Sequence, residues 1–596
     1  METAVVHNSS LAPPGNFTRE QEEYLRTFFT GALQGRTPSF VGQTPAGLFT
    51  NDPSSAAENL AAQQEETFHG TPVSDLCREE QWKHEENPLD IWDKLLAHAA
   101  ENRVPAPDDL FRFKFHGLFY VAPAQDSFML RLRIPGGILR ADQLRGLAQM
   151  ASDCGSGRAD ITTRANLQIR EFAPKDIVRV LNRVQSLGLT SRGSGADNIR
   201  NITAPPTAGL DPAELLDVSP LADALHCYIL NSRDLYGLPR KFNVAFDGGG
   251  AVSVVADTND IGFVATRVAE GQSVPPGIYF RVLLCGITGH QQFASDCGLL
   301  IDPSQAVAVA VAMIRVFNDN GDRTDRKKAR LKYLVDRWGI ERFLAETEKR
   351  LAFPLLRFPA DRCEPRQPID RAGHIGVHPQ RQPGLNYIGV SVPVGRLPAE
   401  QMHALAAIAE QFGNSELRLT VWQNLIIPNI ADKNIDAAVA AIRTAGLDCT
   451  AGAVLRGTVA CTGNRGCRYA ATDTKSHAVA LANLLDTRFP IIDAPVNLHV
   501  TGCPHSCAQH YIGDIGLLGT KVSGEEGYQV VIGGGSDRDQ GLARELISAI
   551  PFSQLPPVME RLFAGYVARR SAGETFLAFT RRHSIAELQQ LCSIEE

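Results

Sequence analysis

The apolar and polar positions of this chain change period in a fixed order, and that order occurs twice. Met129, Arg131 and Arg133 stand on one face of an alternating run, the two-residue period of a strand. Leu144, Leu147 and Met150 then recur at helical spacing. The pattern from Leu132 to Ile169 predicts strand, loop, amphipathic helix and strand, with a further helix near 174–187. It returns without a gap from Val390 to Ile427, followed by a helical stretch at 432–445. Pro135, Gly137, Leu167 and Gly188 match Pro393, Gly395, Leu425 and Gly446, each displaced by 393 − 135 = 258 positions. A second module repeats at its own offset: NDIGFVATRV, Asn259 to Val268, answers GDIGLLGTKV, Gly513 to Val522, 514 − 260 = 254 positions on. The chain reads as a duplication, each half carrying two modules in the same order. The periods predict an α+β fold with mixed or antiparallel sheets covered by helices.

Residues 1–112 have no counterpart in the other half. Helical FTREQEEYLRTFFTGAL, a Pro, Ser, Gly and Thr-rich run at 36–56 and helical DIWDKLLAHAAEN predict an extension wrapped over the core, with no chemistry assigned. The segment DRTDRKKARLKYLVDRWGIER at 322–342 is basic at its start and reads as helical throughout. It is either a solvated helical face or, with Arg569, Arg570, Arg581 and Arg582, a surface that steers an acidic partner.

Composition narrows the class. At 596 residues two or more packed domains are expected, and 44% hydrophobic with 21% charged residues describes a globular protein. A net charge of −7 argues against nucleic-acid binding but leaves room for a local basic pocket that takes a small anion. No run approaches the length of a membrane span, and the first residues lack a basic region followed by an apolar core. The twelve scattered cysteines suit a reducing compartment, so a cytoplasmic location is expected.

Four of those cysteines form two short pairs, CTGNRGC at Cys461 and Cys467 and TGCPHSC at Cys503 and Cys507. Four thiolates are the complement of a [4Fe-4S] cluster, and the Gly, Asn and Pro beside them let backbone close over inorganic sulfide. A five-residue gap beside a three-residue gap is awkward for structural zinc, which prefers two to four residues between ligands. Zinc and unrelated buried thiols remain the alternatives on spacing alone.

With their neighbours the pairs resemble the siroheme and [4Fe-4S] nitrite and sulfite reductases, closest to the ferredoxin-dependent nitrite-reducing members. The longest matching signature is TGCPHSCAQHYIGDIGLLG at 501–519, and the resemblance runs from about residue 113 to near 590. It implies two pseudo-symmetric halves, each a ferredoxin-like module plus a larger α/β cofactor-binding lobe. The expected units are the extension 1–112, modules at 113–206 and 370–456, and lobes at 207–350 and 457–596. It implies that Cys461, Cys467 and Cys503 ligate the cluster while Cys507 bridges cluster and siroheme iron. At the 254 offset Gly249 takes the place of Cys503, so only one half keeps the site.

The resemblance also assigns a substrate pocket to Arg131, Arg200, Lys241 and Asn243, in FMLRLRIPGG, DNIRNITAPP and LPRKFNVAF. Lys241 and Asn243 alternate as if on one face of a strand. Arg164, Gln168 and Arg240 resemble the residues that grip siroheme's eight carboxylates, for which guanidinium forks are suited; in the repeat Trp422 replaces Arg164, so the strand architecture does not impose it. The implied reaction is six-electron reduction of nitrite to ammonium, with electrons from reduced ferredoxin or a similar small acidic carrier and a monomer expected. Sulfite reduction to sulfide is the alternative; sulfite-reducing relatives usually carry a second lysine where this chain has Asn243. An electron carrier without turnover fits poorly with the intact cations, and the related cobalamin-pathway oxygenases are shorter chains. No GxGxxG fingerprint follows a predicted strand, so electrons come from another protein.

Overall fold

The computed structural model describes residues 66–592. The predicted helix at 17–33 and the run at 36–56 lie outside the described residues. Five sheets are present among them, and the two largest antiparallel ones carry the first repeat. Strands Leu118–Val121, Ser127–Arg131, Ile138–Arg140, Arg158–Ile161 and Leu167–Phe172 recur 258 residues later as Gly376–Pro379, Leu385–Val390, Arg396–Pro398, Glu416–Leu419 and Leu425–Ala431, with small differences at their ends. Helices Ala141–Cys154 and Ile177–Ser186 recur as Ala399–Phe412 and Ile435–Thr444.

The two modules exchange a strand. Ile138–Arg140 pairs with Glu416–Leu419 of the second module, and Arg396–Pro398 pairs with Arg158–Ile161 of the first. The glycines matched in the repeat sit where the chains cross. Gly137 and Gly395 have φ of 75° and 70°, and a Cβ on either would stand 2.5 Å from Leu419 O or 2.4 Å from Ile161 O. A left-handed backbone at such close approach admits only glycine. Helices Ala141–Cys154 and Ala399–Phe412 pack on each other, so Leu144, Leu147, Met402 and Leu405 enter one core shared by both modules. Fully burying one leucine contributes about 1.5–3 kcal/mol, so this shared core fastens the halves together.

Each lobe has its own sheet and core. The first runs Val244–Asp247, Ile261–Val268, Gly277–Leu284, Ser295–Ile301 and buries most side chains of helix Ala306–Asn320. The second runs Thr458–Ala460, Leu498–Thr501, Ile515–Val522, Glu525–Ile532, Arg544–Pro551. In the second lobe the first three strands are parallel and the rest antiparallel, the mixed topology expected of the repeat. Between residues 66 and 113, helices Arg78–Glu85, Trp92–Ala100 and Pro107–Phe113 and the turn after the first of them lay Leu89, Trp92, Leu95 and Phe111 into the cores of the first half.

One element differs from its expectation. The segment 322–342 is not helical throughout: residues 322–330 form turns, helix Leu331–Trp338 follows, and Gly339 at φ 76° breaks it before helix Ile340–Glu348. Asp322 caps the turn by accepting from Thr324 and Asp325. The basic side chains there are not a uniform solvated face. Arg323 is buried against Glu80, Arg326 grips Asp197 and Arg330 grips Asp260.

Candidate active site at the junction of the halves

Parallel pairing brings the cysteine loops together. Thr458–Ala460 lies beside Leu498–Thr501 in the same direction, so Cys461 and Cys503 leave the same edge of the sheet, the edge at which α/β sheets place ligands. The Gly502 amide donates to Cys461 Sγ at 3.2 Å, and a Cβ on Gly502 would lie 2.6 Å from that of Ala470. Cys503 is buried, Cys461 and Cys467 half-buried and Cys507 exposed. Burial, and the neighbouring thiols after it, push Cys503 up to about 12, and burial raises Cys461 as well, so these two ionise only beside a strong cationic partner. Among the described residues no three His, Cys, Asp or Glu side chains converge on one point as ligands of a single ion do.

The backbone here is strained in two ways. Ser506 and Gln509 both lie in the left-handed region, at φ 51° and 55°. Gln509 has a twin in Val255, φ 51°, at the 254 offset, so that kink belongs to the lobe architecture. Ser506 has none, and its kink belongs to the Cys503–Cys507 loop.

The first module forms the opposing wall. Thr163 Oγ1 donates to Cys507 O at 3.1 Å. Arg131, at the end of its strand, stands in register with Gln168, and its guanidinium lies 4.5 Å from the Phe119 ring centre. Arg131 Nη1 and Arg200 Nη1 both donate to the Ser194 carbonyl, at 3.4 and 3.1 Å, and Arg200 Nη2 donates to Ala196 O at 2.7 Å. Arg200 Nε is buried with no hydrogen-bond partner. Burial lowers Arg131 to about 10; burial and then Arg131 lower Arg200 well below the usual arginine value.

Lys241 and Asn243 lie just before strand Val244–Asp247, flanking the isolated bridge of Phe242 to Ile199; they are not within a strand, though Phe242 is buried and its two neighbours are half-buried as alternation requires. Lys241 is lowered to about 7 by burial and by Arg330, Arg200 and Arg240, against the charge of Cys507. The same Cys507 charge reaches Arg131. Arg131, Arg200, Lys241 and Cys507 thus share one electrostatic site. Arg240 faces Asp197 at 3.6 Å.

Two expected siroheme ligands are partly committed elsewhere. Arg164 donates to Asn201 O, Val244 O and Asn259 Oδ1, leaving one N–H for another acceptor. Gln168 is buried and accepts from Arg170.

Several residues escape sequence reading. Arg170 donates to Asp160, to Thr462 Oγ1 and to Gly466 O inside the first cysteine loop, tying the first module to the cluster loop. It lies two residues beyond Gln168, so strand alternation could have flagged it. Asp160 and Lys475 pair across the halves with no local signal at all.

The second copy of the cleft keeps its wall but not its chemistry. Asn243 N donates to Asp260, which Arg330 holds; Asn497 N donates to Asp514, which Arg371 holds. Where the first cleft has Arg164 and Cys507, the second has Trp422 and Ser253, and both line a cavity of about 320 Å³.

Residues 195–355 and 451–595 match the nitrite and sulphite reductase 4Fe-4S domain, and residues 121–187 and 378–445 match the nitrite/sulfite reductase ferredoxin-like half domain. The chain belongs to the nitrite and sulfite reductase family, whose cofactors are siroheme and a [4Fe-4S] cluster. It is 36% identical over 501 residues to a ferredoxin–nitrite reductase of Synechococcus elongatus, covering 82% of this chain and 96% of that one. It is 34% identical to the chloroplastic ferredoxin–nitrite reductase of Spinacia oleracea, covering 76% and 78%. The solved NirA protein of Mycobacterium tuberculosis superposes with a TM-score of 0.78 at 29% identity, over 86% of this chain and 97% of that one. The residues fit both groups: four thiols at one sheet edge, and beside them buried cations with spare donors for a polyacidic macrocycle.

Proposed function

We propose that Arg131, Arg200 and Lys241 are the anion pocket of a ferredoxin-dependent nitrite reductase, with Asn243 tuning the choice of anion. Taking nitrite to ammonium consumes six electrons and eight protons and releases two waters, so it needs one enclosed, proton-supplied site. Cys461, Cys467, Cys503 and Cys507 would hold the [4Fe-4S] cluster, with Cys507 nearest the cations of the pocket, and the cluster and siroheme would together supply single electrons and an iron that takes the anion. Arg131 and Arg200 orient the anion and stabilise charge that builds on its oxygens, in surroundings where water competes poorly. Lys241, poised near neutrality, donates protons as oxygen leaves as water. Arg164, Gln168 and Arg240 line the same wall toward the macrocycle's carboxylates.

The observation that carries this reading is the pair of guanidiniums meeting on one carbonyl, Ser194 O, beside an ammonium that has no hydrogen-bond or ion-pair partner among the described residues. Buried cations that make no direct ion pair are costly, and an anionic substrate relieves the cost. Four thiols kept reduced for a cluster fit a cytoplasmic enzyme, and no described helix is long and apolar enough to cross a membrane. The deciding experiment is anaerobic turnover of nitrite and sulfite side by side with the same reduced ferredoxin. Ammonium formed at a much higher kcat/KM than sulfide supports the reading; a preference for sulfite overturns it.

A further inference from the structure

The helix Arg78–Glu85 belongs to the segment that sequence alone assigns no chemistry, yet it buries two charges in the wall of the pocket. Glu80 and Lys83 are fully buried and paired with each other. Glu80 is held again by Arg323 at 2.6 Å. Lys83 Nζ donates to Leu238 O at 2.9 Å and Gly237 O at 3.3 Å, and stands 3.7 Å from Asp197. These partners lie on the two catalytic stretches: Gly237 and Leu238 lead into Arg240 and Lys241, and Asp197 leads into Arg200.

We propose that Lys83 is a positioning residue for the anion pocket, clamping the stretch that carries Lys241 to the stretch that carries Arg200. Asp197 is the other jaw. It receives Arg326 at 2.7 and 2.9 Å, faces Arg240 at 3.6 Å, and lies in the turn whose Ser194 and Ala196 carbonyls hold the Arg200 fork. Burial alone raises its carboxyl, but Lys83 and Arg326 hold it at about 2, so it stays ionised at working pH. Lys83 itself touches no substrate. A buried ammonium bonded to two carbonyls of one stretch and paired at 3.7 Å with a carboxylate of the other, while Glu80 holds it from its own helix, ties the two stretches together, and small displacements of oriented groups are expensive in catalysis.

The inference rests on the pocket assignment above, so the test compares Lys83→Met with Lys241→Ala in holoenzyme. The readouts are siroheme content, the nitrite dissociation constant from the siroheme spectrum, and the affinity of reduced siroheme for carbon monoxide, a neutral ligand that needs no cationic clamp. Lys83→Met should keep siroheme and carbon monoxide affinity while weakening nitrite by about tenfold, the scale of a sub-ångström misplacement. Lys83→Gln, which keeps a donor for Leu238 O but not the charge, should fall between, and it serves if the methionine variant fails to fold. Nitrite affinity unchanged at Lys83, or nitrite and carbon monoxide weakened alike, overturns the clamp. If Lys241→Ala also leaves the nitrite-to-carbon-monoxide ratio unchanged, the pocket assignment fails with it; if only the Lys83 variants do, the clamp alone fails.

Discussion

Lys475 Nζ and Asp160 Oδ1 meet at 2.6 Å in the interior, an ammonium on the helix that follows the first cysteine loop and a carboxylate on a strand of the opposite half. Arg170 completes the group by holding Asp160 at 3.0 Å and reaching into the cysteine loop. The three residues fix the cluster lobe against the module that carries Arg131.

Breaking this pair should loosen the junction. Asp160→Asn leaves Lys475 buried without an anion, and loss of one partner of a buried pair typically costs about 3–5 kcal/mol. Denaturant unfolding of holoenzyme should show that loss. Burial raises the Asp160 carboxyl, but Lys475 and Arg170 hold it at about 2 against an ordinary 3.8. A carboxylate depressed in the folded state stabilises above its unfolded value, and the contribution disappears as pH falls from about 4 toward 2. The wild-type protein should lose stability more steeply than Asp160→Asn across that window; parallel acid profiles would show that the pair contributes nothing.

Lys241 should give nitrite turnover an alkaline limb. Held at about 7 by burial and by Arg330, Arg200 and Arg240, it loses its proton as pH rises through neutrality, and the proton-donating form is lost with it. His505 and His290 also feel its charge. With an artificial donor whose potential is independent of pH, kcat/KM should fall above about pH 7 in the wild type. Lys241→Arg should move that limb upward by more than a unit, and a limb that stays put assigns it to another group.

Asn243→Lys should shift the enzyme toward sulfite. A second ammonium in a desolvated pocket favours a doubly charged anion over a singly charged one. Each 1.4 kcal/mol of differential stabilisation is about tenfold in the ratio of kcat/KM values. Both reactions are measured with one donor at one pH after matching siroheme content, and an unchanged ratio removes Asn243 as the discriminator.

Cys507→Ser should disturb both cofactors together. Cys507 is the exposed member of the four, and its charge reaches Arg131 and Lys241, placing it between the thiol set and the pocket. Iron content, cluster paramagnetic resonance and siroheme absorption should all change in the variant. A lost cluster with unaltered siroheme axial ligation speaks against a bridge.

The sequence by itself determined the duplication and the cysteine pairs, because each is written in local spacing: a 258-residue echo, a five- and a three-residue gap. It also placed the helix at 141–154 and its echo at 399–412, since burial on one face imposes a 3.6-residue period. Alternation misplaced Lys241 and Asn243 onto a strand that begins only at Val244, and amphipathic character extended a helix back through 322–330, where Asp322 instead caps a turn.

Only the tertiary structure decided what depends on chain crossings. Strand exchange between the modules, the Ser194 carbonyl shared by Arg131 and Arg200, the Asp160–Lys475 pair and the burial of Lys83 against Asp197 join residues separated by up to 315 positions. No period or spacing encodes such contacts, because a side chain's partner across the fold is fixed by how the elements pack and not by its neighbours in the chain. Arg326 and Arg330 show the consequence: in sequence they belong to a basic run that suggests a surface, and in the fold they turn inward because Asp197 and Asp260, buried by other elements, need their charge.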